Sequence, residues 1–436
     1  MTNLSIGIIS ILAICLLIYS GMHITIALTL CSFIGVWCIR DNFFIASRLL
    51  GLAAIDSIQT YDLAVIPLFV LMGLLIDISD VSTDSFRAAN YLLRRVHGGV
   101  GVATVLGNAL VSAVTGVTIA AVAIFTKLAV PQMLKLGYKP RFAVGLVAGS
   151  GVLGMMIPPG LLIIVYCLLT EVSVAKMFLA TIIPGIFLTF ALCTAVILMC
   201  WKWPSFAGHP KKATDSDRLS LKEIHSALTP LFLLIAIIFG GIYSGFFTAT
   251  EAGAVGALGA FLVALNKKKI NPQNIKKILL ETGSSSSAIC ILIISANMYA
   301  RMIALSGMPE SFGVWLASAK LGYYGLIVAY VLLLLFLGTF LDSISTVLLS
   351  VPLLLPVFVE HNMNLLWIGV ITILATEMGI VTPPLGISAF VVKSALDDKR
   401  ITLEDIYQGS YPFLGIMLAV LIALIIFPSI SLFLTH

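Results

Sequence analysis

Runs of roughly 20 apolar residues recur along the whole chain, and a bilayer core about 30 Å thick takes one such run per crossing. The apolar stretches are 4–20, 22–39, 61–79, 99–125, 141–169, 175–201, 226–243, 248–265, 284–304, 323–341, 343–359, 364–394 and 406–434. Composition agrees: 60% of the 436 residues are hydrophobic and 10% charged, against about 45–50% and about 25% in soluble domains. The sequence therefore predicts one all-α polytopic membrane protein. The formal net charge of +5 suits basic cytoplasmic loops and not a nucleic-acid surface. No Lys or Arg precedes Arg40, so the first apolar run reads as a retained helix and not as a signal peptide.

Charge marks the organisation. A polar stretch over 202–225 carries Lys202, Lys211, Lys212, Arg218 and Lys222 and reads as a cytoplasmic linker between a first half, 1–201, and a second half, 226–436. A second basic loop follows at Lys267, Lys268 and Lys269, with Lys276 and Lys277. Two apolar segments separate the loops, so both can lie on one side, which the positive-inside bias makes cytoplasmic. The seven cysteines form no CxxC and no Cys/His cluster, which points to packing thiols and not to a transition-metal or redox centre.

The halves repeat. Pro158-Pro159 and Pro383-Pro384 stand 225 residues apart, and at the same offset Pro131 falls on Pro356 and Gly154 on Gly379. A matched pair of Gly/Pro-interrupted apolar segments in two halves is the strongest sequence pointer to a transporter site. Proline lacks an N–H and clashes with the carbonyl four residues back. Pro158 and Pro159 are thus expected to release the carbonyls of Gly154 and Met155, and Pro383 and Pro384 those of Gly379 and Ile380. Freed carbonyls at membrane depth must face protein, water or an ion, and with hydroxyl side chains they suit a bare hard cation. The half-helix after each Pro pair points its positive end to the same place, which suits an anion.

Upstream of each Pro pair lies a stretch that reads as a re-entrant hairpin. The first holds Ser112, Thr115, Gly116 and Thr118; the second holds Asp342, Ser343, Ser345 and Thr346. Ser112 and Thr115 are equally readable as helix-packing residues. Asp342 is a carboxylate inside an apolar stretch, which is costly and marks a candidate cation site. Arg301 either reaches an interface or lines an anion pathway, where its planar fork would grip a carboxylate or sulfonate. Glu377 either holds a hairpin by hydrogen bonds or lines the site. Lys127 and Lys393 can reach water along their stems.

At these residues the chain resembles the large membrane subunit of the tripartite ATP-independent periplasmic (TRAP) transporter family, within the ion transporter superfamily. The carrying stretches are Ile66 to Gly73, Gly151 to Pro159, Ser244 to Ala252, Gly338 to Asp342 and Glu377 to Pro384, and the resemblance covers essentially the whole chain. It implies an inverted-repeat elevator fold with two hairpins and scaffold arm helices, in the bacterial inner membrane. It also implies sodium coupling, a small four-helix membrane subunit, a periplasmic substrate-binding protein, and a small organic anion as cargo. By resemblance, Thr115, Gly116 and Thr118 with Ser150, Gly151 and Gly154 would hold one sodium ion. Asp342, Ser345 and Thr346 with Thr376, Gly379 and Thr382 would hold another. Arg301, Glu377 and the two proline pairs, Pro158-Pro159 and Pro383-Pro384, would line the substrate path. The chain departs from the family where a Ser-Gly-Ser-Ser tip becomes Thr115-Gly116-Val117-Thr118, and where Pro-Pro-Ser becomes Pro158-Pro159-Gly160. Val117 offers no hydroxyl, so ligation at the first ion site would lean on Thr115, Thr118 and backbone carbonyls, and Gly160 removes a hydroxyl beside the substrate path; the family's Phe-Thr-Pro-Thr-Glu-Ala pattern also becomes Thr248-Ala-Thr-Glu-Ala252. A self-sufficient symporter of the same superfamily is the alternative. A membrane enzyme is disfavoured because neither HExxH nor GxSxG occurs. A channel is disfavoured because paired breaks suit alternating access.

Overall fold

The structure, a computed structural model, describes residues 2–208, 220–311, 322–396, 398 and 400–435. The middle of the expected linker, with Lys211, Lys212 and Arg218, lies outside the described residues. The linker is shorter than its polarity suggests. A helix already begins at Leu221, because Ser220 and Glu223 form a reciprocal capping box.

Among the described residues the regular elements are helical. Eight helices are long and apolar enough to cross a membrane, or up to ten if each bent pair is one span. The bent pairs are Val65–Ile78 with Val81–Leu93 and Pro140–Met156 with Leu161–Thr170.

The repeat extends through the whole architecture. At an offset close to 225, Ile24–Arg40 corresponds to Ala249–Asn266, Gly99–Thr115 to Gly322–Phe340, and Thr118–Lys135 to Ser343–Glu360. In the same way Pro140–Ser150 corresponds to Leu365–Gly379, and Val174–Lys202 to Leu403–Ile426. One departure has a plain cause. The first half breaks between Phe43–Ile58 and Val65–Ile78, whereas the second runs unbroken as the 34-residue helix Pro272–Leu305. Pro67 sits in the first turn of Val65–Ile78, where a missing N–H is tolerated, and it would disrupt a continuous helix. Leu292 occupies the equivalent place in the second half.

Packing between helices uses small residues, as expected where lipid offers no hydrophobic drive to association. Pro140–Ser150 crosses Leu403–Ile426 at Gly145 and Gly409, where a Cβ on Gly145 would lie 2.1 Å from the Gly409 carbonyl carbon. Gly322–Phe340 crosses Leu365–Gly379 at Gly338 and Gly379, where a Cβ on Gly379 would lie 2.7 Å from the Gly338 Cα. Two buried aromatic side chains have their polar tips tied down. Tyr166 Oη donates to the Leu365 carbonyl (2.7 Å), and Trp367 Nε1 donates to that of Leu424 (2.8 Å).

A candidate transport site between two hairpin tips

Both hairpins are present as helix pairs with a tight tip, and the apolar stretch 99–125 is cut in two there. Gly99–Thr115 ends because Gly116 turns left-handed (φ 64°), and Val117 is extended before Thr118–Lys135 starts. The tip rests on the first Pro-Pro break. The Leu161 N–H donates to the Gly116 carbonyl (3.1 Å), and a Cβ on Gly116 would lie 2.3 Å from the Pro159 oxygen. Only glycine combines that φ with that approach.

The second tip is built differently. Asp342 is the N-cap of Ser343–Glu360. Its Oδ2 accepts the Ser345 N–H at 3.2 Å and its Oδ1 accepts the Ser345 hydroxyl. The carboxylate that marked this stretch in the sequence thus anchors a helix start, as an aspartate N-cap does generally. Its side chain is partly exposed, so lone pairs remain for a further ligand.

Glu377 joins the two tips. It is fully buried, with Oε2 accepting the Thr118 hydroxyl and Oε1 the Ser343 hydroxyl, each at 2.6 Å. Gly154 lies against Thr118 on its other side, where a Cβ would come 2.6 Å from the Thr118 Cα. Of the two roles open to Glu377 from sequence, the hydrogen-bonding one is realised in this geometry.

The freed carbonyls differ between the breaks. Those of Gly154 and Met155 accept no hydrogen bond among the described residues. The Gly379 carbonyl, by contrast, accepts the Thr382 N–H (3.0 Å), and the Ile380 carbonyl accepts the Ser388 N–H (3.1 Å). The expectation that Pro383 and Pro384 leave these two oxygens unpaired is therefore corrected. The chain around 380–388 folds back far enough for later amides to replace the missing ones.

Several buried oxygens are left without partners among the described residues. Ser112 Oγ and Asn108 Oδ1 lie in the first hairpin, while Thr346 Oγ1, Thr376 Oγ1 and Ser388 Oγ belong to the second hairpin and break. Asn108 Nδ2 donates to Ser150 Oγ (2.6 Å), so its amide oxygen is the free end. Thr115 and Thr382 spend their hydroxyl hydrogens on the carbonyls of Val111 (3.1 Å) and Met378 (2.8 Å), leaving their oxygens as acceptors. Gly151 fits beneath Val122, whose Cγ2 would meet a Cβ at 2.2 Å. A buried, unpaired hydroxyl costs about 1–3 kcal/mol, and a set of hard oxygen donors suits an alkali cation.

A cavity of about 330 Å³ opens beside the first tip, lined by Phe69, Val70 and Gly73 of Val65–Ile78, by Thr115 and Gly116, and by Pro159 and Ser285 among others. Arg301 is not brought to the tips. It lies near the end of Pro272–Leu305 and pairs with Asp56 of Phe43–Ile58. Asn297, one turn earlier, donates to Ser57 (2.7 Å). The sequence around Arg301 offered no acid because its partner is 245 residues away. Lys393 donates to the Ile401 carbonyl (2.5 Å), and Lys127 is exposed.

Sequence reasoning passed over Ser343, Asn108 and Ser388 as site residues. Ser343 was recoverable, because it falls on Thr118 at the 225 offset. Asn108 carried only the signal of an amide inside an apolar helix.

Fold and site together define a polytopic membrane transporter with duplicated, interrupted helices. The chain belongs to the family described as "Tripartite ATP-independent periplasmic transporter, DctM component", whose model matches residues 11–430. It is 30% identical over 389 residues to the C4-dicarboxylate TRAP transporter large permease protein DctM of Pseudomonas aeruginosa, covering 88% of each chain. It is 31% identical over 393 residues to the sialic acid large permease SiaM of Vibrio cholerae, covering 90% of this chain and 89% of that one. It is also 26% identical to the isethionate permease DctMQ of Oleidesulfovibrio alaskensis, over 87% of this chain and 59% of the relative. Among solved structures, the fold is similar to the YdaH transporter of Alcanivorax borkumensis (TM-score 0.65, 12% identity, 88% and 89% covered). It is likewise similar to MtrF of Neisseria gonorrhoeae (TM-score 0.58, 12% identity, 88% and 84% covered). The chain is a TRAP transporter large permease, a multi-pass protein of the bacterial inner membrane.

Proposed function

We propose that this permease imports a small organic anion, a carboxylate or sulfonate, with sodium ions as the coupled co-substrate. A periplasmic binding protein delivers the anion, and a small four-helix membrane subunit completes the complex. The observation that carries the sodium reading is that, among the described residues, Asn108 and Ser112 on the first hairpin and Thr346 on the second keep buried oxygens without partners, while the second tip also holds the Asp342 carboxylate. Thr115, Gly116, Thr118, Ser150, Gly151 and Gly154 would surround one ion, together with the free carbonyls of Gly154 and Met155. Asp342, Ser345, Thr346, Thr376, Gly379 and Thr382 would surround the other. The cargoes for which these relatives are named, C4-dicarboxylate, sialic acid and isethionate, are anions that bear a carboxylate or sulfonate, which supports that class here. The cavity beside Gly116 and Pro159 is also lined by Asp77 and adjoins a helix start at Leu161, whose N–H end favours an anion. The reading includes an elevator motion, in which the hairpins and breaks slide as one body along the arm helices; the duplicated fold is compatible with it.

The test is uptake into proteoliposomes holding the permease, the small subunit and the cognate binding protein. Uptake should need both an inward sodium gradient and the binding protein. Sodium-independent uptake would overturn the coupling. Full high-affinity uptake by the chain alone would favour a self-sufficient symporter.

A further inference from the structure

Glu377 has no counterpart in the other half: Val152 stands 225 residues before it. A duplicated fold thus has one carboxylate where symmetry would supply two, and that carboxylate serves both hairpins. Thr118 and Ser343 are the first residues of the two equivalent 18-residue helices, and each donates its hydroxyl to one Glu377 oxygen at 2.6 Å. Two positive helix ends therefore converge on one buried carboxylate. Thr118 is also held from behind by Gly154 of the first break, so the contact sequence runs from first break to first tip to Glu377 to second tip. Opening either hydroxyl contact strands a buried acceptor, which costs more than an average hydrogen bond contributes.

We infer that Glu377 is a positioning residue that clasps the two hairpin tips into one moving unit, so that an event at one break is transmitted to the other. Its functional consequence rests on the transport reading above; the clasp itself is testable without transport. Hydrogen–deuterium exchange of the full chain in lipid nanodiscs reads it directly. Thr118→Val alters only the first tip, yet it should speed exchange in a peptide covering 338–348 by about tenfold, and Ser343→Ala should do the same to 112–122. Glu377→Ala should loosen both tips. Glu377→Gln retains an acceptor, and its amide can pair with the second hydroxyl in the reverse sense, so it should stay within about threefold of wild type. Exchange changes confined to the mutated hairpin would overturn the clasp. If Glu377→Ala does not fold, the two hydroxyl variants decide alone. In the proteoliposome assay Ser343→Ala, which lies outside both proposed ion-ligand sets, should lower the Hill coefficient for sodium toward one. An unchanged, cooperative sodium dependence would count against the clasp. Wild-type uptake that ignores sodium would instead count against the transport reading and leave the exchange result to judge the clasp.

Discussion

At the first break the carbonyls of Gly154 and Met155 stand without amide partners among the described residues, whereas at the second the equivalent carbonyls of Gly379 and Ile380 take up the amides of Thr382 and Ser388. The tips differ in the complementary sense. The first begins its second helix at Val117, which offers no side-chain cap, and the second begins at Asp342, which offers a carboxylate. Of the two proposed ion sites, the first would thus rest on neutral backbone and side-chain oxygens, and the second on a carboxylate with threonine hydroxyls. A fold duplicated at constant offset has kept its spacing while distributing its oxygen donors unequally. A cation at the second site gains a full Coulomb partner, and one at the first gains only dipoles, so the second site should bind more tightly.

The largest effect should separate the two roles of Asp342. Asp342→Ala should reduce sodium-driven uptake at least ~10-fold, the scale of a lost contact between charged groups. Asn caps a helix as well as Asp, so Asp342→Asn should keep thermal stability near wild type while uptake falls as far. Normal uptake by Asp342→Asn would reduce the carboxylate to a cap and erase the contrast between the tips.

Next come the close glycine contacts. Gly154→Ala forces a methyl into the Thr118 backbone, and Gly379→Ala forces one into Gly338. Each should cost about 1–3 kcal/mol of stability by overpacking, measured by thermal unfolding in detergent. Gly154→Ala should also loosen the first tip, while Gly379→Ala should separate two helices and leave that tip in place. Equal exchange at the first tip in both variants would defeat the distinction.

Smaller still, and opposite in sign between two readouts, are the unpartnered hydroxyls. Thr346→Val and Thr376→Val each remove a buried oxygen that has no protein partner. Stability without sodium should hold or rise, because an unsatisfied group is removed. The apparent sodium affinity should fall about fivefold, roughly 1 kcal/mol. A loss of sodium-free stability would mean that these hydroxyls bond within the protein and bind no ion.

The smallest effect is expected at Arg301. Its pairing with the exposed Asp56 resembles other exposed ion pairs, which contribute about 0–1 kcal/mol. Arg301→Ala and Asp56→Asn should therefore change uptake by similar, small factors, within about threefold. Loss of uptake in Arg301→Ala alone would return the guanidinium to the anion path.

The sequence by itself determined the membrane class, the 225-residue spacing of the two proline pairs and the position of both breaks. These are local quantities: a run of apolar residues requires lipid or protein around it, and a proline pair interrupts a helix whatever its neighbours are. The matching of Thr118 with Ser343 was already in the repeat offset. What the tertiary structure alone decided was which groups meet. Glu377 reaches Thr118 across 259 residues, and Arg301 finds Asp56 across 245. The Ile380 carbonyl recovers a partner in Ser388 because the chain turns back after the proline pair. A missing N–H can be read from one proline, but its replacement depends on where the chain returns in space, and spacing along the sequence does not encode that.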